Sequence, residues 1–287
     1  MRIALLSIED LSNFVADDEL LVEPLRRLGH AAEFVPWRAA VEWRDYDAVV
    51  IRTTWDYQDY LPAFMSVLRE IETQTRLANP LEIVKWNVDK KIYLQDIEKR
   101  GDKIVPTIWS DRRIDSRQIE AWFEHLQTDE LVIKPTIGAN AQYTFRLRRG
   151  AVDAGELSKV FDDRPCMVQA FMRGIVEEGE FSLFYFNGEY SHTILKTPKT
   201  GDFRVQEEHG GIIQSTQPTA DLLATGEKLM QDISPTPLYA RVDFVRTGDD
   251  EFAVVELELI EPSMYLRLAA HAPQMFAEAI HKWLLQQ

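Results

Sequence analysis

Three acidic residues on two predicted strands could bind a metal ion. Glu256 and Glu258 alternate with leucines, so in a strand both carboxylates face one side while Leu257 and Leu259 face the opposite, apolar side. Asp243 lies on the preceding predicted strand and can stand opposite them. Converging carboxylates repel one another unless a cation is bound, and hard oxygen ligands suit Mg²⁺. The alternative is a solvated acidic face of an edge hairpin, so this motif alone only suggests a metal site.

Two lysines and an arginine occur where a phosphate could bind. Lys134 ends the apolar run Leu131–Ile133 and precedes a loop with Gly138, so its ammonium and the loop amides could hold phosphate oxygens. Lys90 opens a predicted helix, where a cation opposes the helix dipole and favours a bound anion. Arg204 lies in a polar, glycine-containing segment and could hold a phosphoryl group or a carboxylate through two hydrogen bonds. The alternatives are surface lysines and a charged surface loop.

The remaining reactive side chains give weaker signals. His192, His209 and His271 are too dispersed for a zinc-binding spacing, so we expect them to be structural. His209 is the exception, because the glycines that follow it make a substrate contact feasible. Trp55 and Tyr57, at the end of a predicted strand, are the best candidates for contacts with a substrate.

The elements that must position these residues begin with an alternating pattern. Strand-like runs at Ile3–Leu6 and Ala48–Ile51 enclose a stretch of helical spacing at Glu19–Leu28, which predicts a small parallel α/β layer. The cluster Leu77–Pro80 interrupts the pattern and predicts a linker or turn. We therefore expect the first domain to end near Lys85.

The rest of the chain changes from α/β to largely antiparallel β. The elements predicted first are a helix that starts at Asn87 or Asp89 and ends near Arg100, strands at Ile104–Ile108 and Glu130–Lys134, and a loop over Pro135–Tyr143. The later elements are two hairpins, Phe181–Phe186 with Tyr190–Lys196 around Asn187-Gly188 and Ala240–Arg246 with Phe252–Ile260 around Thr247–Glu251, and helices at Ala220–Ile233 and at the carboxyl end. The chemistry should lie between the two halves.

Composition excludes several classes of function. The 287 residues are 45% hydrophobic and 28% charged, which is typical of a globular protein of two or three packed lobes. No segment approaches the roughly 20 apolar residues of a membrane helix. A net charge of −15 disfavours nucleic acid, and an anionic nucleotide would need local cations and Mg²⁺. The first strand lacks a Gly-x-Gly-x-x-Gly turn, which disfavours a dinucleotide oxidoreductase. A single cysteine, Cys166, and the absence of signal-peptide features predict a cytoplasmic protein.

Taken together, the motifs resemble those of the ATP-grasp superfamily. They are Asp89-Lys90 with Gly101, Val132–Pro135, Gln169–Phe171, Gly179–Ser182, Asp202–Arg204, and Asp243 with Glu256-Leu-Glu258. The match spans Trp86 to Ser263 and is most similar to bacterial glutathione-synthetase-like members, a group that includes the ring-closing ligase of D-cycloserine biosynthesis. The segments that carry this narrower likeness are Arg52–Tyr57, Asn79-Pro80 and Trp86-Asn87.

The resemblance implies an ATP-grasp fold of mixed α/β and α+β type, with a Rossmann-like pre-ATP-grasp domain at 1–85, a central lobe at 86–172 and a C-terminal lobe at 173–287. It implies a ligase that uses ATP and Mg²⁺, or Mn²⁺, to join a small amino-acid-like carboxylate to an amine through an acyl phosphate, giving an amide or closing a ring. Its partners would be these small molecules, without nucleic acid or membrane, and relatives are often homo-oligomers. A nonenzymatic nucleotide-binding module and a kinase-like enzyme that phosphorylates a hydroxyl stay open as alternatives.

The resemblance also implies a role for each motif. The residues that would contact ATP are Lys90, Lys134 and Gly138 at the phosphates, Gln169, Ala170, Phe171 and Met172 at the adenine, and Glu180 at the ribose. Arg204 would be catalytic, steadying the γ-phosphate and the acyl phosphate. The metal ligands would be Asp243, Glu256 and Glu258. Relatives usually have Glu-x-Asn where this chain has Glu256-Leu-Glu258, and the role of the additional carboxylate, Glu261, is open, as is that of His209.

Overall fold

A parallel sheet forms the first third of the molecule, as the alternating sequence pattern predicts. The computed structural model describes residues 1–111, 114–248 and 251–286. The strands of this sheet are β1 (Arg2–Ser7), β2 (Ala31–Pro36), β3 (Ala48–Thr53) and β4 (Arg76–Ala78), in the order β2-β1-β3-β4. The helices that connect them are α1 (Val22–Arg27), preceded by a 3₁₀ turn at Asp18–Leu21, and α2 (Leu61–Gln74). The strands and helix predicted in this region are therefore confirmed.

The segment predicted as a linker is ordered secondary structure instead. Leu77 and Ala78 belong to β4, and Leu81–Asn87 forms helix α3. Pro80 does not interrupt this helix, because a proline just before the first turn lacks only an N–H that would have no helical partner. Since Lys85 lies inside α3, the helix itself links the first sheet to the next, and the domain limits stay a prediction.

An antiparallel sheet follows, preceded by the helix that Asp89 caps. Helix α4 (Lys90–Lys99) starts where the Asp89 carboxylate accepts a hydrogen bond from the Lys91 amide. The elements after it are β5 (Thr107–Ser110), α5 (Ser116–His125), β6 (Glu130–Pro135), β7 (Phe145–Arg148), α6 (Ala154–Phe161) and β8 (Cys166–Ala170). The strand order is β5-β8-β6-β7. The strand predicted at Ile104–Ile108 begins only at Thr107, because Ile104 and Val105 pair instead with Val254 and Pro106 has no N–H to donate.

A larger antiparallel sheet completes the chain. Its elements are α7 (Gly174–Glu177), β9 (Glu180–Phe186), β10 (Glu189–Thr197), β11 (Ile212–Thr216), α8 (Ala220–Gln231), β12 (Tyr239–Gly248), β13 (Glu251–Glu258) and α9 (Ala272–Leu285), with strand order β11-β10-β9-β12-β13. The first predicted hairpin is confirmed, and both turn residues, Asn187 and Gly188, have positive φ as a two-residue hairpin turn requires. The second hairpin is also confirmed, although Asp249 and Asp250 of its turn lie outside the described residues.

Buried polar contacts attach the first sheet to the third. The Asn79 side chain donates hydrogen bonds to the carbonyls of Tyr239 and Leu259 and accepts one from the Leu238 amide. Asn87 does the same for β13, donating to the Leu257 carbonyl and accepting from the Leu259 amide. These asparagines fix the strand that carries the predicted metal ligands. Within the described part of the chain, no helix has both the length and the apolar character needed to cross a membrane.

Candidate active site

A cleft between the second and third sheets brings together the residues that were predicted to contact ATP, to bind a metal or to be catalytic. The predicted residues that line it are Lys90, Lys134, Gly138, Gln169, Ala170, Phe171, Met172, Glu180, Arg204, Asp243, Glu256 and Glu258. They come from five strands, one helix and three loops spread over more than half of the chain. The individual roles stay predictions, but the set forms one site.

The three predicted metal ligands converge at the floor of this cleft. Asp243 on β12 pairs directly with Glu256 on β13, and Glu258 follows two residues later on the same face. Carboxylate oxygens of the three residues all lie within 4.8 Å of one another. Leu257 and Leu259 are buried on the opposite face, as the alternation predicts. A set of hard, anionic oxygens from rigid strands fits the ligand preference of Mg²⁺.

Two buried cations that were not predicted as site residues form ion pairs with these carboxylates. The Arg241 guanidinium lies 3.0 Å from Asp243 and 2.5 Å from Glu258. The Lys196 ammonium lies 3.1 Å from Asp243 and 2.8 Å from Glu180. Strand periodicity could have identified Arg241, because it lies two residues before Asp243 on β12 and so faces the same side of the sheet. Lys196 stands opposite Glu180 in the pairing of β9 with β10. The hairpin itself was predicted, but its register shifts by one residue between Tyr190 and His192, so Lys196 stands opposite Glu180 rather than Gly179.

The carboxylates outnumber these cations, and their pKa values differ accordingly. Burial raises the pKa of Asp243, but Arg241 and Lys196 outweigh it and bring the pKa down to about 2. Burial raises the pKa of Glu258 to about 7 despite Arg241, with repulsion from Glu256 adding to the effect. Burial and the neighbouring Glu258 raise the pKa of Glu261 to about 8. The floor of the cleft therefore favours an additional positive charge.

The two lysines predicted to contact phosphates approach the cleft from separate elements. The Lys90 ammonium, at the start of α4, donates to the Gly138 carbonyl over 2.7 Å and lies 3.0 Å from Glu256. Burial lowers the pKa of Lys90, but Glu256 outweighs it, so the pKa is raised overall. Lys134 lies at the end of β6 and its pKa is lowered by burial. Both ammonium groups border the loop that follows β6, whose Gly138 also lines the cleft.

The opposite end of the cleft is an apolar slot at the end of β8. Gln169 and Ala170 end this strand, and Phe171 and Met172 follow it. The Gln169 side chain donates to the Thr107 hydroxyl over 2.9 Å, and the Arg146 guanidinium lies 3.6 Å above the Phe171 ring. Val105, Val132, Ile175 and Val255 also line this end. Apolar walls around a strand terminus suit a flat heterocycle whose edge can bond to the backbone.

A segment around Arg204 spans the mouth of the cleft. The Arg204 guanidinium is about one-third exposed and bonds to Asp202 over 2.8 and 3.1 Å. Further along, the His209 ring donates to the Asn140 carbonyl in the loop after β6, over 3.2 Å. After His209 the chain turns back close to Val205. Gly211 permits this close approach, because a Cβ there would lie 2.0 Å from the Val205 carbonyl oxygen. His209 thus joins two loops on opposite sides of the cleft.

The first domain supplies one wall of the cleft. Phe14 and Trp55 line it, and the substrate contact predicted for Trp55 stays a prediction. The Trp55 indole N–H donates to the Glu261 carbonyl oxygen over 2.9 Å. Tyr57, the other predicted substrate contact, is buried and does not line the cleft, and burial together with the nearby Glu261 raises the pKa of its hydroxyl.

Comparison with known proteins gives matches over the whole chain. Residues 3–79 match the family model described as the N-terminal domain of D-cycloserine synthetase DcsG. The cycloserine biosynthesis protein DcsG of Streptomyces lavendulae is 29% identical over 279 residues, which cover 91% of each chain. The crystal structure of D-cycloserine synthetase DcsG superposes with a TM-score of 0.85 at 26% identity, covering 99% of this chain and 100% of that one.

Two more distant structures share the fold. The ATP-grasp ligase PsnB, solved with a minimal precursor, Mg and ADP, has a TM-score of 0.65 at 14% identity and covers 98% of this chain and 97% of its own. The D-alanine–D-alanine ligase of Bacillus anthracis has a TM-score of 0.71 at 16% identity, with 100% and 98% coverage. The mixed sheets described above therefore match those of ATP-grasp ligases.

Proposed function

We propose that this chain, which is homologous to D-cycloserine synthetase and is an ATP-dependent C–N bond-forming ligase with the ATP-grasp fold, activates a small carboxylate as an acyl phosphate for attack by an amine. The observation that carries the proposal is the cleft itself, in which an apolar slot at one end leads to clustered carboxylates and buried cations at the other. That sequence of environments suits the base, phosphates and metal of a nucleotide in one orientation.

The nucleotide would lie along the cleft. The adenine would occupy the slot at Gln169–Met172, with its edge toward the backbone after β8. Lys90 and Lys134 would contact the phosphates, where compact ammonium groups can move between oxygens. Glu180 would face the ribose hydroxyls, releasing part of its ion pair with Lys196. Lys196 would then be placed to contact the γ-phosphate, a role that its burial beside the carboxylates supports.

Asp243, Glu256 and Glu258 would hold Mg²⁺, which when bound offsets the negative charge of the phosphates. Lys90, Lys196 and Arg241 each pair with at least one of these carboxylates, yet burial and the neighbouring Glu256 still raise the pKa of Glu258 to about 7, so a further cation would be favourable there. Arg241 is one of those cations, and it would be able to turn from Glu258 toward the transferring phosphoryl group once the metal is present.

The proposed reaction has two steps. An oxygen of the substrate carboxylate attacks the γ-phosphorus, and ADP leaves. The amine nitrogen then attacks the acyl carbon, phosphate leaves with one former carboxylate oxygen, and the amine loses a proton to solvent. No protein nucleophile is required, so the chain contributes positioning and charge compensation through Arg204, Lys196 and Arg241. Because of the homology to D-cycloserine synthetase, ring closure of an amino-acid derivative is the first form of the reaction to test.

A screen for phosphate release tests this proposal. The enzyme is incubated with ATP, Mg²⁺ and pairs drawn from a panel of amino acids, their derivatives and small amines. We expect free phosphate only when a suitable substrate is present, together with a product whose mass equals the substrates minus water. ADP formation without free phosphate would instead identify a kinase, and ATP binding without substrate-stimulated turnover would identify a nonenzymatic module. Either result would refute the proposed ligation.

A further inference from the structure

The segment that carries Arg204 connects β10 to β11 across the mouth of the cleft. It comprises residues 198–211 and contributes Phe203, Arg204 and Val205 to the cleft lining. It includes a 3₁₀ turn at Glu207–His209 and otherwise follows an irregular path. An irregular connection is not fixed by a ladder of backbone hydrogen bonds, so side-chain contacts must hold this segment, called here the Arg204 segment, over the cleft.

Two contacts join the Arg204 segment to the region around the second sheet. Phe203 packs edge to face against the Phe171 ring, with the ring centroids 6.2 Å apart. The His209 ring bonds to the Asn140 carbonyl over 3.2 Å at an exposed position, where water competes for both partners. One aromatic pair and one exposed hydrogen bond hold the segment only weakly.

Arg267, in the chain that follows β13, attaches the same segment through charge. One guanidinium nitrogen lies 2.9 and 2.7 Å from the two carboxylate oxygens of Glu207, and the other donates to the Asp17 carboxylate over 2.9 Å. The Arg267 and Glu207 side chains are each about one-third exposed, so solvent screens their attraction less than at a fully exposed pair. A guanidinium can bridge two carboxylates because its donors form a rigid fork. Arg267 therefore joins the Arg204 segment to the first domain.

Arg267 is itself held in a fixed position. Its backbone amide also donates to Asp17, over 3.4 Å, and its guanidinium lies 5.3 Å from the centre of the Tyr265 ring. The Asp17 side chain is almost fully buried, and the next residue, Asp18, pairs with the buried Arg52 at 2.5 Å. A side chain that is fixed by the first domain at one end can therefore fix the irregular segment at the other.

We infer that Arg267 is a positioning residue for the ligation, because it fixes Glu207 and thereby holds Arg204 over the cleft. The inference rests on the proposed function, in which Arg204 steadies the γ-phosphate and the acyl phosphate. In this structure Arg204 bonds to Asp202, so its guanidinium has to turn toward the phosphate while the backbone stays in place. A displacement of about 1 Å at a reacting group can cost about 100-fold in rate. Arg267 lies outside the described cleft lining, so it acts through the segment rather than on the substrate.

The first test removes the charge of Arg267 and measures turnover of the substrate found by the phosphate-release screen. We expect Arg267→Gln to lower kcat at least about tenfold and to change the KM for ATP by less than about threefold, because Arg204 acts mainly in the transition state. Glu207→Gln should reproduce this fall, and Arg267→Lys, which keeps the charge but not the fork, should have an intermediate kcat. Arg44→Gln, at an ion pair with Glu42 whose side chains are both more than two-thirds exposed, is the matched control and should change neither value.

The second test shows whether Arg267 acts through Arg204. In an Arg204→Ala enzyme the contribution of this guanidinium is already lost, so adding Arg267→Gln should lower kcat by less than about twofold. A further tenfold fall would show that Arg267 supports catalysis by another route, and it would overturn the inference. A wild-type kcat in the single variant Arg267→Gln would overturn it as well. Both results would leave the ligase proposal intact.

Limited digestion with trypsin tests the attachment without relying on activity. Lys199 and Arg204 are trypsin sites within the Arg204 segment, and cleavage there requires the chain to open locally. We expect Arg267→Gln to be cut at these two sites at least about fivefold faster than the unaltered protein, at a temperature where their circular dichroism spectra agree, while Arg44→Gln is cut at the unaltered rate.

Equal cleavage rates of Arg267→Gln and the unaltered protein would overturn the inference. If Arg267→Gln does not fold, Glu207→Gln removes the same ion pair from its other partner and is measured in its place, with the same expected results. Absence of phosphate release with every substrate pair would overturn the proposed function, and with it the role of Arg267, whatever the cleavage rates.

Discussion

Replacing Arg241 with methionine should destabilise the protein in a way that depends on Mg²⁺. The Arg241 guanidinium is buried between Asp243 and Glu258, at 3.0 and 2.5 Å. Removing one partner of a buried ion pair costs about 4 kcal/mol, because the remaining charges stay buried without compensation. In a chain of this size, 1 kcal/mol lowers the melting temperature by about 2 °C, so we expect a fall of about 8 °C in a chelating buffer.

Mg²⁺ should restore much of this loss, because it would neutralise the same carboxylates. A ligand that binds only the folded state stabilises it by about 4 kcal/mol at a concentration 1,000 times its Kd. Mg²⁺ should raise the melting temperature of the unaltered protein by less, since Arg241 competes with the ion for Asp243 and Glu258. Calorimetry without nucleotide, in chelator and along a Mg²⁺ titration, measures both effects.

Lys103→Met is the matched control for this comparison. Lys103 pairs with Glu251 on the same strand, β13, but both side chains are more than half exposed. Exposed ion pairs contribute little to stability, so its melting temperature should stay close to that of the unaltered protein at every Mg²⁺ concentration. Two results would refute the idea that Arg241 and Mg²⁺ neutralise the same carboxylates. One is an equal melting temperature of Arg241→Met and the unaltered protein in chelator, and the other is an equal rise of both melting temperatures with Mg²⁺.

Three further perturbations have defined outcomes. Glu256→Ala or Arg204→Ala should reduce substrate-stimulated phosphate release at least about 100-fold while circular dichroism stays unchanged, and a wild-type rate at saturating ATP and Mg²⁺ would contradict the site assignment. Asn87→Ala should lower the free energy of unfolding in urea by about 2–3 kcal/mol, because it leaves an amide and a carbonyl of β13 unbonded. Burial lowers the pKa of His192 to about 4, so stability should fall by about 3 kcal/mol as the pH drops from 6.5 to 4, and His192→Phe should flatten that part of the profile.

Local sequence patterns were sufficient to predict the structure where a single strand, turn or helix end determines it. The Glu256-Leu-Glu258 alternation placed both carboxylates on one face, and Asn187-Gly188 placed a hairpin turn. Helix α4 could be predicted because a capping side chain, Asp89, and a terminating glycine, Gly101, enclose it. The residue types in these cases act on neighbours within a few positions.

Contacts between distant segments could not be predicted in the same way. The Arg52 side chain bonds to the Pro262 carbonyl, 210 residues away, and a single sequence contains no signal for that pairing. Lys196 and Arg241 became recognisable as cleft residues only once β9, β10 and β12 were placed side by side. Helix α3 was missed for another reason: Pro80 signals a break, but tertiary burial of Leu81 and Val84 stabilises a helix directly after it.

Isotope transfer tests the acyl-phosphate ligation most directly. The carboxylate substrate found by the phosphate-release screen is labelled with ¹⁸O in both oxygens and turned over once with ATP and Mg²⁺, and the released phosphate is examined by mass spectrometry. Since a carboxylate oxygen attacks the γ-phosphorus and leaves with it, one ¹⁸O atom should appear in each phosphate. Unlabelled phosphate would mean that water attacks the γ-phosphorus, and it would contradict activation of the carboxylate in this cleft.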